Sequence, residues 1–149
     1  MVALPNLFDD LDRFLQASQF KDAWSDDGCC YANRLLFDFS DSDWEHLAAV
    51  IAGRERLWKL SLTQALTEIT TKQSISILIS FMREPDEELF YEAAVTLEEN
   101  IRSGAELAIP PLEVQGVIEQ KKRQTGKELL GVWSLEAEIL RLIAKKGHP

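Results

Sequence analysis

The residue types that most often act in catalysis or bind metal ions are scarce in this chain of 149 residues. His46 and His148 are its only histidines. Asp43 and His46 are three residues apart, so one helical turn could offer both as metal ligands. A metal site needs more than two ligands, however, and no Glu-x-x-His motif supplies the others. We therefore predict no metal site and expect His46 to be a surface residue.

The cysteines and glycines point away from redox, nucleophilic and nucleotide chemistry. Cys29 and Cys30 are adjacent, and a disulfide between neighbours strains the peptide that joins them, while a single thiol pair matches no structural zinc spacing. We expect two reduced, partly buried thiols. The seven glycines form no phosphate-binding loop and no Gly-x-Ser-x-Gly turn. The sequence therefore predicts no catalytic residue and no cofactor.

Charge is the strongest compositional signal. Acidic residues outnumber basic ones by 25 to 16, for a net charge of −9. Residues 1–50 hold ten acidic and three basic side chains, residues 51–100 hold nine and five, and residues 101–149 hold six and eight. Nucleic acid is disfavoured as a partner because phosphate binding needs a cationic face, and the basic run Lys121-Lys122-Arg123 is expected to be the solvated last turn of a helix. A negative field would attract a cationic partner, although an acidic surface also serves solubility alone.

Hydrophobic spacing is helical throughout, and no segment alternates like a strand. No apolar run approaches the roughly 20 residues that a membrane span needs, and the first residues lack the features of a signal peptide. We therefore expect a cytoplasmic protein without a membrane partner. We predict a single all-α domain with seven or eight helices over residues 1–149. The helices are expected at residues 4–15, 30–37, 42–52, 54–69, 74–82, 86–101, 114–126 and 127–146.

Two of the predicted helix starts carry capping residues and carboxylates. Ser42 and Glu45 have the spacing of a capping box. Asp86 is placed as an N-cap, with Glu87 and Glu88 in the first turn, where negative charge suits the helix dipole. These carboxylates are therefore explained without invoking catalysis.

A weak internal repeat lies in the middle of the chain. Its second copy has an apolar helix at residues 74–82, an acidic turn, and a helix with the small pair Ala93-Ala94. This pattern resembles the HEAT-like repeat. The resemblance covers residues 54–101 and implies antiparallel helical hairpins, with the small pair at a close helix contact. Eight positions define the repeat at a constant offset of 31 residues: Trp58, Leu62, Ala65 and Leu66 correspond to Leu89, Ala93, Thr96 and Leu97.

A small, acidic, all-helical chain with Ser42-Asp43-Trp44 at one helix start and one HEAT-like hairpin also resembles a known group of inhibitors. These are the immunity proteins of bacterial contact-dependent inhibition and polymorphic toxin systems. The resemblance implies a cytoplasmic, non-catalytic protein that binds a cognate toxin domain and covers its active surface. Nuclease toxins are typically cationic, so the acidic charge fits an inhibitor of one.

The expected toxin-binding residues are carboxylates at two helix starts together with aromatic anchors. Most of the four tryptophans should be core residues, but Trp24 and Trp44 lie among aspartates, which favours them as exposed anchors. The predicted protein-binding residues are Trp24, Asp41, Asp43, Trp44, Glu45, Asp86, Glu87, Glu88, Tyr91 and Glu92.

Two other classes of function stay open at this point. A HEAT-like scaffold or adaptor that binds an unrelated protein would share the fold and would lack a cognate toxin. A small helical enzyme, such as a HEAT-like lyase or a relative of the DNA glycosylases, would need a pocket with a perturbed acid. The glycosylase would also need a basic groove, which the charge count disfavours.

Overall fold

The computed structural model describes residues 7–17, 26–107, 109–125 and 133–146. These residues form eight α-helices and one short 3-10 helix, Ile51–Gly53, and they contain no strand, so the predicted all-α class is confirmed. The chain divides into two compact units, Met1–Ile69 and Thr70–Pro149, and the single-domain assignment stays a prediction. The helices are α1 (Leu7–Ala17), α2 (Asp26–Phe37), α3 (Asp41–Val50), α4 (Arg56–Ala65), α5 (Lys72–Met82), α6 (Glu87–Arg102), α7 (Pro111–Thr125) and α8 (Trp133–Lys146).

The first unit is built around α1, which packs against α2, α3 and α4. Phe8, Leu11 and Leu15 recur at three- and four-residue steps along α1, and all three are buried. This buried stripe agrees with the helical hydrophobic spacing that predicts a first helix over residues 4–15. Burial of that stripe is what holds a short helix of 11 residues in place, because isolated helices of this length are marginal in water.

The third helix begins at Asp41, one residue before the predicted Ser42. Its N-cap is Ser40, whose Oγ accepts a hydrogen bond from the Asp43 backbone N–H at 3.2 Å, while one Asp43 carboxylate oxygen accepts from the Ser40 N–H at 3.0 Å. The other Asp43 oxygen accepts from the backbone N–H of Phe8 in α1 at 3.3 Å. The predicted Ser42–Glu45 capping box is wrong because Asp43 closes the cap and also links α3 to α1.

The fourth helix ends at Ala65, earlier than the predicted residue 69, and Asn33 of α2 holds its last turn. The Asn33 side-chain amide donates to the carbonyl oxygens of Ala65 at 2.9 Å and of Thr67 at 2.7 Å. The chain then turns through Glu68, whose φ of 68° lies in the left-handed region. One amide therefore satisfies carbonyls that the end of a helix leaves without partners.

We expect Asn33→Asp to lower the free energy of unfolding by about 2–3 kcal/mol, because a carboxylate would replace two donors and face two carbonyl oxygens. Asn33→Ala, which removes the two hydrogen bonds without adding a charge, should cost about 1–2 kcal/mol. Urea unfolding followed by circular dichroism measures both. An Asp variant as stable as the wild type would contradict this role of Asn33.

The second unit contains the predicted helical hairpin, formed by α5 and α6. The Thr71 side chain accepts from the Ser74 N–H at the start of α5, and the Asp86 side chain accepts from the Leu89 N–H at 3.1 Å at the start of α6. The N-cap role of Asp86 is therefore confirmed. Alanines at positions 93 and 94 are both buried, as expected for a close helix contact.

A lysine of α7 stabilises the turn between α5 and α6. Lys121 is buried, and its Nζ donates to the Glu84 carbonyl oxygen at 2.9 Å and lies 5.4 Å from the centre of the Phe90 ring. A cation at this carbonyl suits the negative end of α5, and the ring face adds a cation–π contact. Arg83 of the same turn also pairs with Glu113 of α7 at 3.5 Å. Helix α7 therefore holds the connection that leads into α6.

The basic run of α7 is only partly solvated, which corrects the prediction for residues 121–123. Lys121 is buried in the contact just described, and Lys122 pairs with Glu136 of α8 at 2.6 Å. Only Arg123 is exposed as predicted. The prediction is wrong for Lys121 because a lysine stem can bury its methylenes against a ring while its amine reaches a backbone carbonyl.

The eight positions of the internal repeat are all buried, from Trp58 in α4 to Leu97 in α6. The first copy's second helix, α4, belongs to the first unit, where its partners are α1 and α2, and the second copy, α5 and α6, belongs to the second unit. The shared burial accounts for the periodicity. A HEAT-like character of these helices stays a prediction.

Candidate protein-binding surface

The outward side of α6 carries the largest part of the predicted binding residues. Between Asp86 and Arg102 the chain has six acidic side chains and a single arginine. Glu87 and Glu88 are exposed in the first turn, while Tyr91 and Glu92 are half-buried one turn further on. Negative charge is favourable in that first turn because of the helix dipole. The structure therefore brings all five α6 residues of the predicted site onto one helix end.

A continuous stripe extends this surface along the helix. At 100° per residue, Glu88, Glu92, Val95 and Glu99 lie within a narrow arc, since their spacing of four, three and four residues returns each to the same side. Val95 is 42% exposed although it is apolar. In the described part of the chain Glu92 and Glu99 form no ion pair. Val95 and Glu99 are not among the predicted binding residues, although the same helical spacing could have added them.

Tyr91, Glu98 and Arg102 border the stripe on one side. The Tyr91 ring meets the buried Phe90 ring at 5.8 Å in a T-shaped arrangement, which fixes its base to the core. Arg102 pairs with Glu98 at 2.7 Å. The single arginine of α6 is therefore already occupied by a neighbouring carboxylate, and the remaining carboxylates dominate the face.

The predicted surface at the start of α3 is smaller than expected. Asp41 and Glu45 are exposed. Asp43 is half-buried, and both of its oxygens are used by the N–H groups of Ser40 and Phe8. A partner would have to compete with these internal bonds for Asp43. This surface lies in the first unit, whereas α6 lies in the second.

Trp44 is not an exposed anchor, which corrects its predicted role. It is 4% exposed, and its ring packs edge-on against Phe39 at 5.1 Å. Asp43 and Glu45 project about 100° to either side of Trp44 on the helix, so acidic neighbours in the sequence do not bring the Trp44 ring to the surface. Trp24 lies outside the described residues.

The remaining candidates for catalysis or metal binding are the histidines and cysteines. His46 is exposed as predicted, with its ring 5.6 Å from the Phe8 ring. Cys30 is a free thiol but is exposed rather than partly buried, because it lies on the outer side of α2. The side chain of Cys29 and residue His148 lie outside the described part. Among the described residues no group of three or more His, Cys, Asp or Glu side chains is placed to hold a metal ion.

A cluster that sequence reasoning missed joins α1 to α4. Arg54 donates to both oxygens of Asp12, from Nε at 3.0 Å and from an Nη at 2.6 Å, and the Trp58 indole N–H donates to Asp12 at 3.0 Å. Gln16 adds a hydrogen bond at 3.1 Å. Burial alone would raise the pKa of Asp12, but the hydrogen bonds and the charge of Arg54 outweigh it and hold that pKa below its ordinary value of 3.8.

An open groove of about 390 Å³ lies beside this cluster, lined by Gln16, Gly53, Arg54, Glu55 and Trp58. Among the described residues that line it, the one cation is Arg54, and it is balanced by Asp12. Trp58 is fully buried and offers no exposed ring face for stacking. The cluster is thus suited to holding helices together.

Comparisons with known proteins give no family or relative. No protein-family model, no curated protein and no solved structure matches this chain. No helix of the described residues is long and apolar enough to cross a membrane.

Proposed function

We propose that this protein is a stoichiometric inhibitor that binds a cationic protein toxin, in the manner of an immunity protein, and covers its active surface. The class of toxin we propose is a nuclease. The observation that carries the proposal is the excess of carboxylates on α6 and its N-cap Asp86, where six acidic residues meet one arginine and that arginine is held by Glu98.

The chemistry of inhibition follows from charge. A nuclease binds the phosphates of its substrate through lysine and arginine side chains. Carboxylates presented on a rigid helix can occupy those same cations, so substrate and inhibitor would compete for one surface. The rate of association should be raised by the negative field, and contacts at the centre of the interface should set the lifetime of the complex.

The fold supports such a role because it presents α6 on a packed base. The inner side of α6 is fully buried at Phe90, Ala93 and Leu97, and Lys121 fastens the turn that precedes the helix. A rigid surface loses little conformational entropy when it binds, which favours tight association.

The test is a calorimetric titration of the full chain against the toxin domain encoded by the adjoining gene, together with an assay of nuclease activity. We expect a 1:1 complex, loss of nuclease activity at equimolar inhibitor, and an association rate that falls by on the order of tenfold or more between low and high salt. Absence of a complex would overturn the proposed function. A complex indifferent to salt would overturn its electrostatic mechanism.

A further inference from the structure

One amine of α7 contacts the chain on both sides of the point where α6 begins. The Lys121 Nζ donates to the carbonyl oxygen of Glu84 at 2.9 Å, two residues before the N-cap Asp86. It also lies 5.4 Å from the centre of the Phe90 ring, four residues after that N-cap. The exposed carboxylates at positions 87 and 88 lie between these two contact points in the sequence. The place of the amine therefore constrains where the first turn of α6 begins and which way it runs.

Lys121 is a buried cation held by neutral groups. It is 5% exposed, and among the described residues no carboxylate forms an ion pair with it. Burial of an ammonium without an anion is costly, and global unfolding recovers that cost because it releases the amine to water. A local opening of the turn would leave the amine without its carbonyl and still partly buried. The Lys121 contact should therefore oppose local opening of the α5–α6 turn more strongly than it opposes global unfolding.

A second contact between α7 and this turn is weaker. Arg83 pairs with Glu113 at 3.5 Å, and both side chains are about half exposed. Exposed ion pairs contribute little to stability, because water screens the two charges and both side chains lose conformational freedom. Of these two contacts, the buried one made by Lys121 is therefore the one that fixes the turn.

We propose that Lys121 is a positioning residue for toxin binding: its amine fixes the first turn of α6 and thereby the place at which Glu87 and Glu88 meet the partner. The role of the partner as a toxin rests on the proposed function above. Attraction at long range depends on net charge and little on the exact place of a carboxylate, whereas the lifetime of a complex depends on close contacts. Displacement of the first turn should therefore raise the dissociation rate and leave the association rate nearly unchanged.

Three variants of the full chain separate the amine from its charge. Lys121→Met keeps an unbranched side chain in the buried position and removes the amine. Arg123→Met is the matched control, because Arg123 is exposed on the same helix and its loss changes the net charge by the same amount. Lys121→Arg keeps a cation and a donor at the ring face and should recover most of the wild-type behaviour. Circular dichroism verifies that each variant is folded.

The first measurement needs no partner and follows hydrogen exchange of backbone amides by NMR on 15N-labelled protein. The amides of Leu89 and Phe90 donate to Asp86 at the start of α6. In Lys121→Met we expect them to exchange about tenfold or more faster than in the wild type. The increase should exceed that at residues 93–101 by about fivefold or more, because the lost contact is local. The Arg123 control should stay within about twofold of the wild type throughout.

The second measurement uses the toxin domain encoded by the adjoining gene, with both rates of binding measured by surface plasmon resonance. Lys121→Met should raise the dissociation rate by about fivefold or more and change the association rate by no more than about twofold. Arg123→Met should change neither rate by more than about twofold. This separation of the two rates distinguishes a displaced contact from an altered net charge.

The possible outcomes distinguish this inference from the proposed function. Unchanged exchange in Lys121→Met, or an equal increase along the whole of α6, would overturn the positioning role and leave toxin binding intact. An unchanged lifetime of the toxin complex, or a lifetime shortened equally in Arg123→Met, would overturn it as well. If exchange responds as expected and the toxin domain does not bind the wild type, the positioning of the first turn is supported and the proposed function is overturned.

Discussion

Asp12→Ala is expected to lower the free energy of unfolding by about 2–3 kcal/mol. The Asp12 side chain is only 17% exposed and accepts hydrogen bonds from Arg54 and from the Trp58 indole. Its removal leaves the guanidinium without a counter-charge and a buried N–H without an acceptor, and the loss of one partner is the costly way to break such a pair. Urea unfolding at neutral pH, followed by tryptophan fluorescence, measures the effect.

Asp10→Ala is the matched control, because Asp10 lies on the same helix and makes no such contacts. It should change stability by no more than about 0.5 kcal/mol. An equal loss of stability in both variants would mean that the hydrogen bonds of Asp12 contribute no more than the negative charge of any aspartate on α1.

The pH dependence provides a separate test of Asp12. Because the folded-state pKa of Asp12 lies below 3.8, its stabilising effect is fully present above pH 3.8 and is lost as the pH falls through the lower, folded-state value. The difference in stability between wild type and Asp12→Ala should therefore be constant near neutral pH and shrink in acid below pH 3.8. A difference that stayed constant down to the lowest pH would show that Asp12 acts without its charge.

Phe90→Ala is expected to cost about 3–5 kcal/mol in the free energy of unfolding, the largest effect of any substitution considered for this protein. The Phe90 ring is fully buried, meets Tyr91 edge-on and lies beneath the Lys121 amine. Truncation would leave a cavity in the second unit and remove the ring face that supports a buried cation. Thermal and urea unfolding followed by circular dichroism measure the loss.

Phe37→Ala provides the same chemical change at a surface position. Phe37 is 58% exposed at the end of α2, so we expect a loss of no more than about 1 kcal/mol. Similar losses for the two phenylalanines would contradict the assignment of Phe90 to the core.

Local signals in the sequence were sufficient for the α5–α6 hairpin. An N-cap aspartate at position 86, carboxylates in the first turn and apolar residues at three- and four-residue steps agree with one another, and α6 begins where they place it. The acidic surface of α6 followed from the same pattern, because the residues left off the apolar side of a helix are its solvent side.

Features that depend on tertiary contacts could not be predicted from local sequence signals. Ser40–Asp43 and Ser42–Glu45 are both capping-box patterns, and the first prevails in a structure where Asp43 also reaches Phe8, 35 residues away. The role of Asp12 depends on partners 42 and 46 residues along the chain. No local pattern marks such pairs in a single sequence.

The Lys121 contact has a consequence for the order in which the second unit folds. The α5–α6 hairpin is made of neighbours in sequence, but its turn is fastened by a lysine 37 residues beyond Glu84. Contacts between distant residues form late in folding because the intervening loop must first be closed. Lys121 should thus stabilise the hairpin only after the hairpin has formed. Substitution of Lys121 would therefore accelerate unfolding and leave the folding rate nearly unchanged.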